Sequence, residues 1–191
     1  MYQKYQTEAL VMGNWESGEA DRVMHLFSRD FGLVAARAGA LRREKSKMRY
    51  ALTNYSRVEV SLIRGKNNWR LAGTRALHIP SGSDPRGITA FARIAELVTR
   101  LVTGEETNPY LFAALSEAHN AFMQKDCGAA GTIELVCVAR VLYSLGYISA
   151  EALKTALFTH TAYADVHLAE AETLRDKLLS SINRAIAETQ L

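Results

Sequence analysis

The spacing between apolar residues changes along this chain, and that change restricts its possible folds more than any other feature. The stretch RVEVSL places Val58, Val60 and Leu62 at every second position, which is the pattern of a half-buried strand. From Ile88 and Phe91 onward, apolar residues recur every three or four positions, as in amphipathic helices. Between these regions lies HIPSGSDPRG, which holds two of the chain's three prolines and is typical of a linker. We therefore expect a β-module followed by a helical module.

Five stretches within the first 80 residues have the composition and length of strands. They are EALVMG, RVMHLFS, LVAARAG, RVEVSL and NWRLAGTRALHI, and turn signals occur at Gly13-Asn14, at Ser17-Gly18, at 30–32 and at 65–68. Short strands with regular turns favour a small closed barrel, which also removes exposed sheet edges. We predict an α+β two-domain chain with a barrel domain at 1–79, a linker at 80–87 and an all-α helical domain at 88–191.

One stretch of the helical module is apolar nearly all round. TIELVCVARVLYSL (132–145) is interrupted only by Glu134 and Arg140, which is typical of a central, buried helix. Gly146 is suited to end this helix in the left-handed conformation. Other helices are expected to start at Asn108-Pro109, to lie near 150–158, and to run over about 163–188.

Positive charge is concentrated in the first module. Residues 1–80 carry 14 Lys and Arg against 7 Asp and Glu, a net +7, whereas residues 81–191 carry 9 against 13, a net −4. The short stretch GALRREKSKMRYAL (39–52) alone holds five cations and a single acid. Because arginine and lysine bind phosphate, this stretch predicts a nucleic-acid contact; a solvated basic face without a ligand is the alternative. Trp15, Tyr50, Tyr55 and Trp69 are candidates for stacking on bases or, alternatively, for packing in the barrel.

The sequence has no arrangement typical of a catalytic or metal site. It contains neither a Gly-x-x-x-x-Gly-Lys phosphate loop nor a Gly-x-Ser-x-Gly elbow. Cys127 and Cys137 are not at zinc-ligand spacing, and His160, His167 and Glu170 make only a weak metal candidate. We therefore expect no enzyme activity, no cofactor and no metal. The first residues resemble no secretory signal, so we expect a cytoplasmic protein without a membrane segment.

The order of short motifs in residues 7–60 resembles the N-terminal domain of RecO, a family of bacterial recombination mediators. Gly18-Glu19 and Asp21-Arg22 are followed by HLFSRDFG, by the Lys/Arg/Ser-rich stretch and by RYALTNYS. The helical module is similar more loosely, at LFAALSEAH and LYSLGY. Together the resemblance covers most of the chain.

The resemblance implies an OB-fold barrel, a helical domain and a role in recombinational repair without bond breaking. Members of the family bind single- and double-stranded DNA and anneal complementary strands. With RecR, they help to load the recombinase on DNA coated with single-stranded-DNA-binding protein (SSB). This implies a place at the bacterial nucleoid. The expected DNA-binding residues of this chain are Arg22, Arg37, Arg42, Arg43, Lys45, Lys47, Arg49 and Arg70, with Arg64 and Lys66 assisting.

The family also binds the acidic, hydrophobic C-terminal tail of SSB, which requires an apolar wall with a cation beside it. In helix 132–145, Val136, Val141 and Leu142 are the candidates for the wall, and Arg140 is the candidate cation. Apolar residues at this spacing can instead form simple core, so both interpretations stay open.

This chain departs from the family pattern at several places. The family's common Ala-Lys-Gly-Ala-Arg reads Arg37-Ala38-Gly39-Ala40-Leu41, and the insertion after LGY that carries a zinc ribbon in some members is essentially missing. Beside DNA binding, an interaction module whose barrel binds a protein or a structured RNA is the alternative function.

Overall fold

The structure, a computed structural model, describes residues 3–43, 46–66, 68–80, 83–124 and 128–189. Within these ranges, five strands precede six helices. The strands are β1 (Lys4–Ser17), β2 (Asp21–Ser28), β3 (Gly32–Ala38), β4 (Arg57–Arg64) and β5 (Trp69–His78). The helices are α1 (Pro85–Leu101), α2 (Pro109–Gln124), α3 (Ala130–Ser144), α4 (Ala150–Leu153), α5 (Asp165–Thr173) and α6 (Arg175–Glu188). This order confirms the predicted sequence of a β-module and a helical module.

The five strands close into a barrel in the order β1-β2-β3-β5-β4, and β4 pairs back with β1. All neighbours are antiparallel except β3 and β5, which run parallel and pair at Ala36 with Trp69 and at Arg37 with Arg70. A closed five-stranded barrel with this order is an OB-fold. The predicted fold class is therefore confirmed.

Strand β1 is long because it pairs with two neighbours. Its residues 4–10 pair with β4 and its residues 9–17 pair with β2, with a shift in register between Val11 and Gly13. An extra residue at such a bulge bends and twists the strand, which helps a barrel to close. The turn predicted at Gly13-Asn14 is therefore wrong, since Asn14 continues the ladder opposite Met24.

The barrel core follows the alternation seen in the sequence. Val58, Val60 and Leu62 of β4 are at most 1% exposed, as their period of two predicts. Trp69 is also buried, and its ring lies within 6 Å of the rings of Tyr5 and Phe31. Of the aromatic residues considered for base stacking, Trp69 therefore belongs to the core.

Helix α3 is buried over most of its length, as its composition predicts. It ends where Gly146 takes a positive φ of 82°, a conformation that glycine adopts without a steric penalty. The Gly146 N–H donates to the Tyr143 carbonyl at 3.0 Å and the Tyr147 N–H to the Leu142 carbonyl at 2.8 Å. These two bonds are the Schellman pattern, so the predicted helix end is confirmed.

The helices that follow are shorter than the sequence predicts. The helix expected near 150–158 covers only Ala150–Leu153 and stops at Lys154, which has a left-handed φ of 50°. The helix expected over 163–188 begins at Asp165 and is interrupted at Leu174, where φ is −100° and ψ is 7°.

The chain divides into two compact units. One comprises Met1–Gly82 with Ala95–Pro109, and the other comprises Ser83–Ile94 with Tyr110–Leu191. Helix α1 begins at Pro85, within the stretch 80–87 for which a linker is predicted, and contributes residues to both units. In the barrel unit, the carboxylate of Glu105 accepts a hydrogen bond from the Trp69 indole at 2.7 Å and pairs with Arg64 at 3.3 Å.

Candidate nucleic-acid interface

The basic segment after β3 is folded against the barrel by its apolar residues. Leu41 and Leu52 are buried in the barrel core, and Met48 packs against it. Between them the backbone forms short turns, with N–H to carbonyl bonds from Ser46 to Arg43 and from Leu52 to Met48. The described cations of this segment therefore lie on a supported backbone and project from the barrel surface.

Asp21, the first residue of β2, ties the start of the basic segment to the β1–β2 turn. Its carboxylate accepts the Ala40 N–H at 2.7 Å and two bonds from the Arg37 guanidinium, at 2.8 Å from Nε and 2.6 Å from Nη2. The Ala40 N–H and then the Arg37 guanidinium hold the pKa of the Asp21 carboxyl below its usual range. The sequence gives no local signal for this role of Asp21, because Arg37 and Ala40 lie 16 and 19 residues further along the chain.

Three of the predicted DNA-binding arginines pair with acids of their own barrel. Arg37 binds Asp21 as above, and Arg42 pairs with Glu16 at 3.3 Å while donating to the Gly18 carbonyl at 3.4 Å. Arg22 lies 3.9 Å from the same Glu16. These three guanidinium groups thus share two carboxylates, which offset two of their three positive charges.

Four of the predicted residues remain exposed without such a partner. Arg43, Lys47, Arg49 and Arg70 show no side-chain hydrogen bond or ion pair to any residue that the structure describes. Arg43 is nevertheless close enough to contribute to the lowered pKa of Asp21. Lys45, which the sequence also predicts to bind DNA, lies outside the described residues.

Arg37 and Arg70 lie side by side through the parallel pairing of β3 with β5. They line an open pocket of about 470 Å³ together with Asp21, Gly39, Asn68 and Leu71. The assisting cation Arg64 is instead held by Glu105 and lies 5.2 Å from the centre of the Trp69 ring. The barrel therefore brings Arg70 beside Arg37, whereas the side chain of Arg64 pairs with Glu105 and stays 62% exposed.

Of the exposed aromatic residues on the barrel, Tyr50 is 73% and Trp15 is 45% accessible. Trp15 contacts His25 edge-to-face, with ring centroids 4.5 Å apart. His25 was not singled out from the sequence, since a lone histidine in an alternating strand carries no specific signal.

The four residues expected to hold the SSB tail lie inside the helical unit. Val136, Val141 and Leu142 are at most 1% exposed, and Arg140 is 0% exposed. Arg140 donates to the carbonyl oxygens of three residues between positions 157 and 162, at 2.8 to 3.1 Å. The structure thus corrects the expectation of an accessible wall and cation: these side chains are core, and an acidic tail has no access to them.

In the structure, the three side chains that make up the weak metal candidate have other contacts. The His160 and His167 rings stack with centroids 5.4 Å apart, while Glu170 accepts a hydrogen bond from Thr155. Across the described ranges there is no group of three or more His, Cys, Asp or Glu side chains that could hold a metal. In the same ranges, no helix is long and apolar enough to cross a membrane.

Comparison with known proteins places this barrel in a family. Residues 1–76 match the family described as "Recombination protein O N terminal". The chain is 30% identical over 115 residues to the DNA repair protein RecO of Dehalococcoides mccartyi, covering 58% of this chain and 45% of that protein. With the DNA repair protein RecO of Cutibacterium acnes it is 29% identical over 145 residues, covering 74% and 59%. The chain spans about half the length of these relatives. The barrel region 1–76 is thus similar in sequence to the N-terminal domain of RecO proteins, and parts of the chain are similar to the DNA repair proteins RecO of two bacteria.

Proposed function

We propose that this chain is a non-catalytic DNA-binding protein of recombinational repair. The observation that carries the proposal is the set of exposed cations Arg43, Lys47, Arg49 and Arg70 on an OB-fold barrel, none of which pairs with an acid among the described residues. In OB-folds, oligonucleotides bind across strands 2 and 3 and the β1–β2 and β4–β5 loops. Arg70 follows the β4–β5 loop, and Asp21 fastens the basic segment to the β1–β2 turn, so the cations lie at that region.

Phosphate contacts by these cations explain binding without sequence preference. Lysine and arginine side chains neutralise phosphates and release condensed counterions, which stabilises complexes with single and double strands alike. A basic surface that holds two strands reduces their mutual repulsion, which supports annealing of complementary strands. Because the chain is similar to RecO proteins, the proposal also includes a role with RecR in loading the recombinase on SSB-coated DNA. The SSB tail is not assigned to the helix α3 residues, since these are buried.

The proposal is tested with a triple variant, Arg43→Ala, Lys47→Ala and Arg49→Ala. Three lost phosphate contacts at about 0.7 log units each predict a fall in single-strand affinity of about 100-fold at about 0.1 M salt. The matched control removes three exposed cations from helices, Arg86→Ala, Lys177→Ala and Arg184→Ala, with the same change in net charge.

Fluorescence anisotropy with a labelled oligonucleotide measures affinity, and strand annealing is followed with a complementary pair. We expect the barrel triple variant to lose both activities and the helix triple variant to keep both within about threefold. An equal loss of affinity in the two variants would mean that the net charge of the protein causes the effect, and not the position of the cations. Unchanged binding by a folded barrel variant would overturn the assignment of these residues, and tight binding of a structured RNA or a protein in place of DNA would favour the alternative interaction module.

A further inference from the structure

Trp15 is a large aromatic side chain on the outer face of the barrel. It is 45% exposed, whereas the chain's other tryptophan, Trp69, is 2% exposed and packed in the core. Burying an indole is strongly favourable, so an exposed one on a regular strand is a position where a partner can gain by covering it.

The sheet register places Trp15 in one row with two of the candidate DNA-binding arginines. Trp15 lies opposite Val23, Val23 opposite Arg37, and Arg37 beside Arg70. Because neighbouring strands are about 4.8 Å apart, the backbone at Trp15 lies about 10 Å from Arg37 and about 14 Å from Arg70 along this row. Trp15, Arg37 and Arg70 are all exposed, so the row presents an aromatic side chain at one end and cations at the other.

The surroundings of Trp15 suit an anionic, aromatic ligand. The neighbouring acid Glu16 is paired with Arg42 at 3.3 Å, so its charge is balanced. The edge-to-face contact with His25 restricts the indole, and burial lowers the pKa of His25, which favours the neutral imidazole in this contact. A ring held in place in this way loses little freedom when a base stacks on it.

We propose that Trp15 is a base-stacking residue that makes this surface prefer unpaired nucleotides to duplex DNA, an inference that rests on the proposed DNA binding. An unpaired base has a free face to lay on the indole, whereas the bases of a duplex are already stacked on one another. Arg70, the cation of the row that pairs with no described acid, acts on the phosphates of both forms equally. The cations thus provide affinity for both forms of DNA, and Trp15 provides the difference in affinity between single strands and duplexes.

The experiment compares Trp15→Ala and Trp15→Phe with the wild type, using a single strand and a duplex of the same sequence. Stacking is worth enough per base that Trp15→Ala should weaken single-strand binding by about tenfold or more, while duplex binding changes by less than about twofold. Trp15→Phe keeps a π-face, so its affinity for the single strand should lie between the affinities of the wild type and of Trp15→Ala. Tyr147→Ala removes an equally exposed aromatic residue from the helical unit and serves as the control.

Tryptophan fluorescence gives a second readout that does not depend on a variant. Stacking should quench the emission of exposed Trp15 when a single strand is added, and the quenching should be lost in Trp15→Phe, where only buried Trp69 emits. Equal weakening of both DNA forms by Trp15→Ala, or no weakening, would overturn the stacking role while the proposed DNA binding stands. If the wild type binds neither form, the proposed function fails and this inference with it.

Discussion

Replacing Arg140 with methionine tests whether a buried cation holds the helical unit together. Arg140 is 0% exposed and donates from Nε to Leu157 O at 3.0 Å, from Nη1 to Thr161 O at 2.8 Å and from Nη2 to Ala162 O at 3.1 Å. Its guanidinium also lies 4.6 Å from the centre of the Tyr163 ring. Methionine preserves an unbranched apolar stem and helix propensity, so the variant removes the three donors together with the charge and its contact with the Tyr163 ring.

The expected cost follows from the three carbonyl oxygens that lose their donor. A buried acceptor without a partner costs about 1–3 kcal/mol; the bond to Leu157 is buried and those to Thr161 and Ala162 are part-buried, so the three together predict a loss of about 3 kcal/mol in the free energy of unfolding. Lysine at position 140 keeps a cation but lacks the planar fork that reaches three acceptors, so Arg140→Lys should be intermediate. With a urea slope of about 1–3 kcal/mol/M, the methionine variant should unfold at a urea concentration lower by about 1–3 M.

Urea unfolding followed by far-ultraviolet circular dichroism reports mainly on the helices, while both tryptophans report on the barrel. Arg184→Met is the matched control, because Arg184 is exposed on α6. This substitution should change the free energy of unfolding by less than about 0.5 kcal/mol. If Arg140→Met shifted the helical transition no more than this control, the carbonyl contacts would contribute nothing to stability and the reasoning would be refuted.

Three further changes test local contacts. Gly32→Ala should destabilise the barrel by at least about 2 kcal/mol in thermal unfolding, because φ is +62° and a Cβ would lie 2.2 Å from the Glu106 carbonyl oxygen; a neutral result would contradict this contact. Asp21→Asn should lower the melting temperature at pH 7. The difference from wild type should shrink below about pH 4, because a backbone N–H and a guanidinium lower the folded-state pKa and this stabilisation is lost as the carboxyl protonates. Burial raises the pKa of the Cys137 thiol to about 12, so in a Cys127→Ser background a thiol reagent should label the protein only on unfolding, and rapid native labelling would refute that burial.

The architecture of the barrel could be predicted because strand alternation is a local signal. Strands β3 and β4 bury every second residue, and this period is visible in a window of six residues. The bulge at Gly13 could not be separated from a turn, because the same residue types favour both. What decided between them is that β1 pairs with β2 on one side and β4 on the other, which is a long-range feature.

The interruption at Leu174 escaped prediction for a related reason. Leu168 and Ala171 before it, and Leu178 and Ile182 after it, are all buried at helical spacing, so the apolar pattern runs through the break. No proline or glycine marks the position, and periodicity alone reports which face is buried and not whether the axis is continuous. Arg140 shows the same limit, since its acceptors lie 17 to 22 residues further along the chain.

The pairing of barrel cations with acids leads to a quantitative expectation for DNA binding. Counting the eight residues predicted from the sequence as phosphate contacts gives a slope of log affinity against log salt of about −5.6, at about −0.7 per contact on a single strand. Arg22, Arg37 and Arg42 already pair with Glu16 and Asp21, and full contact with phosphate would require them to give up those ion pairs.

Without these three arginines, the exposed cations Arg43, Lys47, Arg49 and Arg70 predict a slope of about −2.8, and Lys45 would extend it to about −3.5. Affinity for a labelled single strand, measured in a salt series at constant pH, distinguishes these values from −5.6. A slope of about −5 or steeper would mean that DNA displaces Glu16 and Asp21 from their arginines, so that the ion pairs are a resting arrangement of the binding surface. A slope near −3 would mean that these arginines hold the basic segment in place while its neighbours contact the phosphates.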